Sequence, residues 1–141
     1  MIIVDASVAV KWLIEELQSD VALALLTQED DLFGPELLDI EVRSAITRRV
    51  NMGELAPEAG TAALQKWRRV LDSFSLQLMP ASDLLLDRAF SLAVELRHPF
   101  KDIVYTALAM EQEAALVTAD QRLFKKGGSI YPQVRHLRDW I

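Results

Sequence analysis

The 141 residues include no cysteine. That excludes disulfides and thiolate metal sites, and it fits a reducing cytoplasm. Hydrophobic residues make up 51% of the chain, yet no apolar run approaches the ~20 residues of a membrane helix. No membrane association is expected. The N-terminus lacks a basic n-region and a cleavage pattern, so no signal peptide is expected. There is no internal repeat, low-complexity tract or linker rich in Pro, Gly or Ser. The chain therefore reads as a single domain over residues 1–141. Basic charge is also short. Fifteen Lys and Arg stand against 21 Asp and Glu, a net charge of −6. Taken alone, this argues against a general nucleic-acid binder, which usually carries a basic footprint.

Four short apolar runs are present: IIV at 2–4, LF at 32–33, LQLM at 76–79 and ALV at 115–117. Helical patterns separate them. One starts at Ala6 and runs to Leu17. The next starts near Ser19 or Asp20, either of which would cap it. A third runs from Pro35, a good first-turn residue, to Gly53, and a fourth starts with Pro57. Ser82 reads as the cap of a fifth, and a sixth follows the break His98-Pro99. Strands alternating with helices imply a parallel sheet covered by helices. The expected fold is α/β, a three-layer α/β/α domain with a mainly parallel central sheet and a helical pair inserted at about 35–73. In such sheets, ligands sit outside the carboxyl ends of the strands.

Acids fall at those ends. IIV runs into Asp5, and ALVTA runs into Asp120. Each also precedes a helix, so each reads equally well as an N-cap. Glu41 has no such explanation. On a wheel of ~100° per residue, Leu37, Glu41, Ala45 and Leu38 fall at about 0°, 40°, 80° and 100°. Glu41 thus lies in the apolar arc, where it needs a ligand or a partner, Arg48 being the internal candidate. Asp102 opens a segment, DIVYTALAM, that is apolar almost all round. It reads as a first-turn acid favoured by the helix dipole or as a member of a site. Ser7 lies two residues after Asp5, and Thr118 two before Asp120.

Four carboxylates at one sheet edge repel one another, by about 4 kcal/mol per close pair at ~4 Å and an effective dielectric of 20. Protonation or a cation must relieve this. An all-oxygen set, with neither histidine expected in it, suits Mg²⁺ or Mn²⁺. Metal-assisted phosphodiester hydrolysis is the chemistry such a site supports. A phosphotransfer enzyme or receiver fits less well. The first strand is followed by D-x-S rather than paired acids, and LQLMP ends without an acceptor Asp.

In order and spacing, VDAS, PELLDIEV, HPFKDIVYTALA and LVTADQRL resemble the PIN-domain ribonucleases, and the compact length resembles the VapC-type toxins among them. The resemblance spans essentially the whole chain. It implies a PIN-like fold and carries the family's catalytic and metal-holding acids onto Asp5, Glu41, Asp102 and Asp120, with supporting hydroxyls at Ser7 and Thr118. It implies a Mg²⁺- or Mn²⁺-dependent endoribonuclease, a homodimer, and a VapB-like cognate antitoxin whose C-terminal segment blocks the site. The alternative is a degenerate PIN domain that only binds RNA or antitoxin. Two positions depart from the family's habit. Lys101 stands where an aromatic residue is common, and Ser44 where Asn is common. Lys101 reads as a phosphate contact or as a snorkelling surface lysine. Without the four acids, 17 acidic residues remain against 15 basic. Arg48 and Arg68 are candidate RNA contacts, and Trp67 beside Arg68 reads as a base-stacking platform or as an inward-packed residue.

Overall fold

The computed structural model describes residues 1–140. Strand β1 (Ile2–Val4) leads into helices α1 (Ala6–Leu13) and α2 (Ser19–Leu26). Strand β2 (Leu32–Pro35) is followed by α3 (Leu37–Asn51) and α4 (Pro57–Asp72), and β3 (Gln77–Met79) by α5 (Asp83–Leu96) and α6 (Phe100–Gln112). Strand β4 (Ala115–Thr118), α7 (Gln121–Gly128), β5 (Val134–His136) and a 3-10 turn at Leu137–Asp139 follow.

The five strands form one sheet in the order β3-β2-β1-β4-β5, and every pairing is parallel. From β1 the chain works outward to β2 and β3, then returns past β1 to β4 and β5. With right-handed crossovers, that reversal sends α1–α4 to one face and α5–α7 to the other. The packing follows this division: α1 meets α2, α3 and α4, whereas α6 meets α5 and α7. This is the three-layer α/β/α arrangement expected from the sequence. The central strands β1 and β4 are largely apolar because helices cover both sides, and Ile3, Val4, Leu116 and Val117 are fully buried. Each such side chain contributes about 1.5–3 kcal/mol.

The point where strand order reverses lies between β1 and β4, and crevices form at such points. Register there is set by pairs Ile3↔Leu116 and Val4↔Val117. The next residues out of the sheet, Asp5 and Thr118, therefore emerge side by side.

Several local expectations change. Pro35 ends β2 opposite Met79 instead of opening the helix, and α3 starts at Leu37. A proline is tolerated there because the strand ends with it. Helix α1 stops at Leu13, not Leu17. Ser19 closes the following loop by accepting from the Glu16 N–H and donating to the Ile14 carbonyl. Neither Ser19 nor Asp20 caps α2; the N-cap is Gln18, in the left-handed region and without a side-chain bond. Strand β5 carries no apolar run, only Val-Arg-His with Arg135 exposed between two buried neighbours, so hydrophobicity gave no sign of it. Pro57 and Ser82 stand where expected, at the starts of α4 and α5. Among the described residues, no helix is long and apolar enough to cross a membrane.

Trp67 packs inward. It is fully buried, and its indole N–H donates to Asp39 Oδ1 at 2.8 Å, beside the Arg43–Asp39 pair at 2.9 Å. It ties α4 to α3 and offers no stacking face, which overturns the base-stacking reading. Arg68 is exposed on α4.

Helix α3 turns back immediately after β2, and this close return needs Gly34. A Cβ built there would stand 2.5 Å from the side chain of Leu38, which is fully buried. Gly34→Ala is expected to cost about 1–3 kcal/mol through overpacking, read as a lowered midpoint in urea unfolding.

Candidate active site

Asp5 is both the residue after β1 and the N-cap of α1, accepting from the Val8 N–H at 3.3 Å. Two hydroxyls clamp it. Ser7 Oγ donates to Oδ1 at 2.6 Å and Thr118 Oγ1 donates to Oδ2 at 2.5 Å. Each hydroxyl in turn accepts a backbone N–H from the turn after β4, Ser7 from Ala119 at 2.8 Å and Thr118 from Asp120 at 3.0 Å. A hydroxyl has one proton, so accepting on one side directs that proton to the carboxylate. Asp5 is only 5% exposed. Burial pushes its pKa up to about 6, with Asp120 adding to the rise, against the lowering effect of the bonds from Ser7, Thr118 and Val8.

Asp120 caps α7. Its Oδ1 accepts from the Arg122 and Leu123 N–H groups at 2.8 and 3.2 Å. Both strand-end acids are therefore helix caps, and both also line one cavity of about 420 Å³. Cap and site are compatible readings, because a cap fixes the carboxylate at the mouth of the crevice.

Glu41 faces the same cavity from α3. Its partners are Tyr105, whose hydroxyl donates to Oε1 at 2.6 Å, and Lys101, whose Nζ lies 3.8 Å from Oε2. Arg48, the internal arginine considered as its partner, lines the cavity instead. Tyr105 is buried, and burial together with the charge of Glu41 holds its phenol far above its ordinary pKa. It stays a hydrogen-bond donor. Lys101 is 65% exposed, so its attraction to Glu41 is weak.

Asp102 reaches the cavity from the first turn of α6. Its Oδ2 meets His98 Nε2 at 2.9 Å, and the His98 side chain is 2% exposed. A histidine therefore does belong to the constellation, contrary to the sequence reading. His98 and Tyr105 are the two residues that reading missed. Both carried a signal. His98 precedes Asp102 by four residues, and Tyr105 is a phenol within an otherwise apolar helix, where its hydroxyl must find a partner.

Ser7, Ser44, Lys101 and Arg48 line the cavity with the four acids; Thr118 lies buried beneath it, and Arg68 is elsewhere. Among the described residues, no three acids or histidines stand close enough to enclose one ion. The donor set nevertheless fits Mg²⁺ or Mn²⁺. All its atoms are carboxylate or hydroxyl oxygens, and Mg²⁺ keeps most of its waters and uses only one or two carboxylates.

Residues 2–128 match the family described as PIN domain. Ribonuclease VapC9 of Mycobacterium tuberculosis is 33% identical over 132 residues, covering 94% of this chain and 95% of that relative. Among solved structures, a toxin-antitoxin complex from Klebsiella pneumoniae is similar with a TM-score of 0.68 at 15% identity, covering 95% of each chain. VapC20 of Mycobacterium tuberculosis, a Sarcin-Ricin loop cleaving toxin, gives 0.64 at 15% identity, covering 84% of this chain and 87% of that one. At such identities these two structures speak to the fold alone.

The raised pKa of Asp5 has a sign that unfolding can check. Folding lifts it from an ordinary 3.8 to about 6, so the folded state penalises the ionised form. That costs nothing below pH 4, grows as pH rises through 6, and levels off at about 3 kcal/mol. Asp5→Asn removes this slope. Denaturant unfolding in EDTA is expected to show the variant gaining on the parent by about 1–3 kcal/mol between pH 4.5 and 7.5.

Proposed function

The chain belongs to the PIN-domain family, of the VapC type, and from that we propose that it is a metal-dependent endoribonuclease, the toxin of a toxin–antitoxin pair. The observation that carries this reading is the convergence of Asp5, Glu41, Asp102 and Asp120, from four separate elements, on one cavity at the strand-order reversal. A ribonuclease at 33% identity along nearly the whole chain supports the RNA substrate. A structural neighbour solved as a toxin-antitoxin complex supports a cognate antitoxin partner. The reading includes a homodimer, and the exposed Phe90 and Val94, one turn apart on α5, support an apolar contact face.

In this reading Asp5, Glu41, Asp102 and Asp120 would together hold Mg²⁺ or Mn²⁺. A divalent ion there supplies Lewis acidity, activating water and offsetting charge on the phosphodiester. The remaining work falls to the chain's own groups. Ser7 and Thr118 hold Asp5 rigid. Tyr105 leaves Glu41 one oxygen free to orient an attacking water or accept its proton. Asp120 keeps one oxygen beyond its capping bonds.

Arg48 is suited to hold a phosphate beyond the scissile one. Glu41, Ser44 and Arg48 fall on successive turns of α3, placing Arg48 roughly 10 Å along the axis from Glu41. Lys11 and Arg49, also on the cavity wall, are engaged by Glu16 at 3.1 and 2.7 Å. Arg48 is exposed and, among the described residues, has no ion-pair partner.

The purified chain is expected to cleave loop-containing RNA with Mn²⁺ or Mg²⁺ and to stop in EDTA. Loss of groups that only support metal ligands costs 10–100-fold, so Asp102→Asn should lower turnover by at least about 100-fold with the fold intact by circular dichroism. Metal-dependent cleavage at the parent rate by Asp102→Asn, or RNA binding by the parent without any turnover, would sink the proposal.

Arg48→Ala is expected to raise KM with little change in kcat, since a remote phosphate contact is equal in ground and transition states. The slope of log affinity against log salt should fall by about 1. Competition binding of a non-cleavable RNA across salt concentrations checks this.

A further inference from the structure

We propose that His98 is a positioning residue for Asp102, fixing which oxygen of that carboxylate faces the cavity and thereby its affinity for a divalent ion. This rests on the reading of Asp102 as a metal-holding acid.

The three acids at helix starts are held in two different ways. Asp5 and Asp120 are N-caps, and backbone N–H groups orient them, Val8 for one and Arg122 with Leu123 for the other. Asp102 is not a cap residue and stands three places past the cap of its helix. The N-cap of α6 is Pro99, followed by Phe100, Lys101 and Asp102. In a capping box the side chain at that third position, a Glu or Gln, reaches back to the N–H of the cap residue. Proline has none. The donor is supplied instead by the side chain one residue earlier, His98, at 2.9 Å from Oδ2.

The imidazole is itself rigidly placed. Helix α5 ends with Arg97 in the left-handed region, and the His98 N–H closes that end on the Ala93 carbonyl at 3.1 Å. The ring is buried, and an ionised carboxylate only accepts, so Nε2 carries the proton. Oδ2 thereby has a fixed partner, whereas Oδ1 has no hydrogen-bond partner among the described residues.

The other ring nitrogen, Nδ1, is buried without any hydrogen-bond partner. An orphaned buried polar atom is a net cost to folding, which an apolar ring of similar size would avoid. A structural role predicts that removing the imidazole lowers stability. A positioning role predicts that stability holds while metal affinity falls. Removing an outer partner of a metal-holding carboxylate typically weakens metal binding 10–100-fold.

Two measurements test this. In metal-free protein, nitrogen-15 histidine spectra should show a proton on His98 Nε2. Calorimetric titration with Mn²⁺ alone should then show His98→Phe binding about 10–100-fold more weakly than the parent, at an unchanged or raised Tm. His98→Gln, which keeps an N–H near the Nε2 position, should bind within about threefold of the parent. The proposal is overturned by an Nδ1–H tautomer, by parental Mn²⁺ affinity in His98→Phe, or by equal losses in His98→Phe and His98→Gln. A parent chain that binds no Mn²⁺ overturns the metal-site reading as well. That failure is told apart because it appears before any variant is compared.

Discussion

One buried carboxylate, Asp5, constrains the rest of the site. It leaves β1 at the centre of the sheet, in surroundings that raise its pKa to about 6. Three groups hold it there, two hydroxyls and a backbone N–H, and the strand register brings Thr118 alongside. The directions of the hydroxyl bonds are set by backbone N–H groups of Ala119 and Asp120. The turn after β4 is thereby locked to the turn after β1. Any shift in that register would break the clamp and also move Asp120, because Asp120 donates the N–H that orients Thr118.

The same economy of placement extends around the cavity. Each acid reaches it from a different element, and each gives part of its hydrogen-bonding capacity to a local structural bond. Asp120 caps α7, Glu41 accepts from Tyr105, and Asp102 accepts from His98. These bonds orient the carboxylates without neutralising them. Like charges facing one cavity repel; Lys11 there is engaged by Glu16, and Lys101 is too exposed to offset that cost. In the proposed reading, a divalent cation with its waters would relieve that repulsion.

Much of this was legible in the sequence, for identifiable reasons. Strands buried on both faces write continuous apolar runs, so β1 to β4 were visible at once. An acid directly after such a run must emerge at a strand end, which placed Asp5 and Asp120. Glu41 stood out because helical periodicity has no room for a charge in an apolar arc. Other features depended on tertiary relations that no local pattern encodes. β5 is held at the sheet edge by pairing with β4, not by its own hydrophobicity. Pro35 suited either a helix start or a strand end, and pairing with Met79 decided it. Tyr105 acts between helices, on a partner that folding alone brings within reach, whereas His98 meets an acid only four residues on. Trp67 read two ways until Asp39 claimed its indole N–H.

The central claim is that this carboxylate-lined cavity is where a divalent ion binds. Anomalous diffraction at the manganese edge, from crystals grown with Mn²⁺, tests it most directly. The account predicts a peak inside the cavity, about 2.0–2.2 Å from a carboxylate oxygen of Asp102 or Asp5, with waters completing its shell. A cavity free of anomalous density at saturating Mn²⁺, or density confined to surface acids such as Glu111 and Asp20, would contradict it.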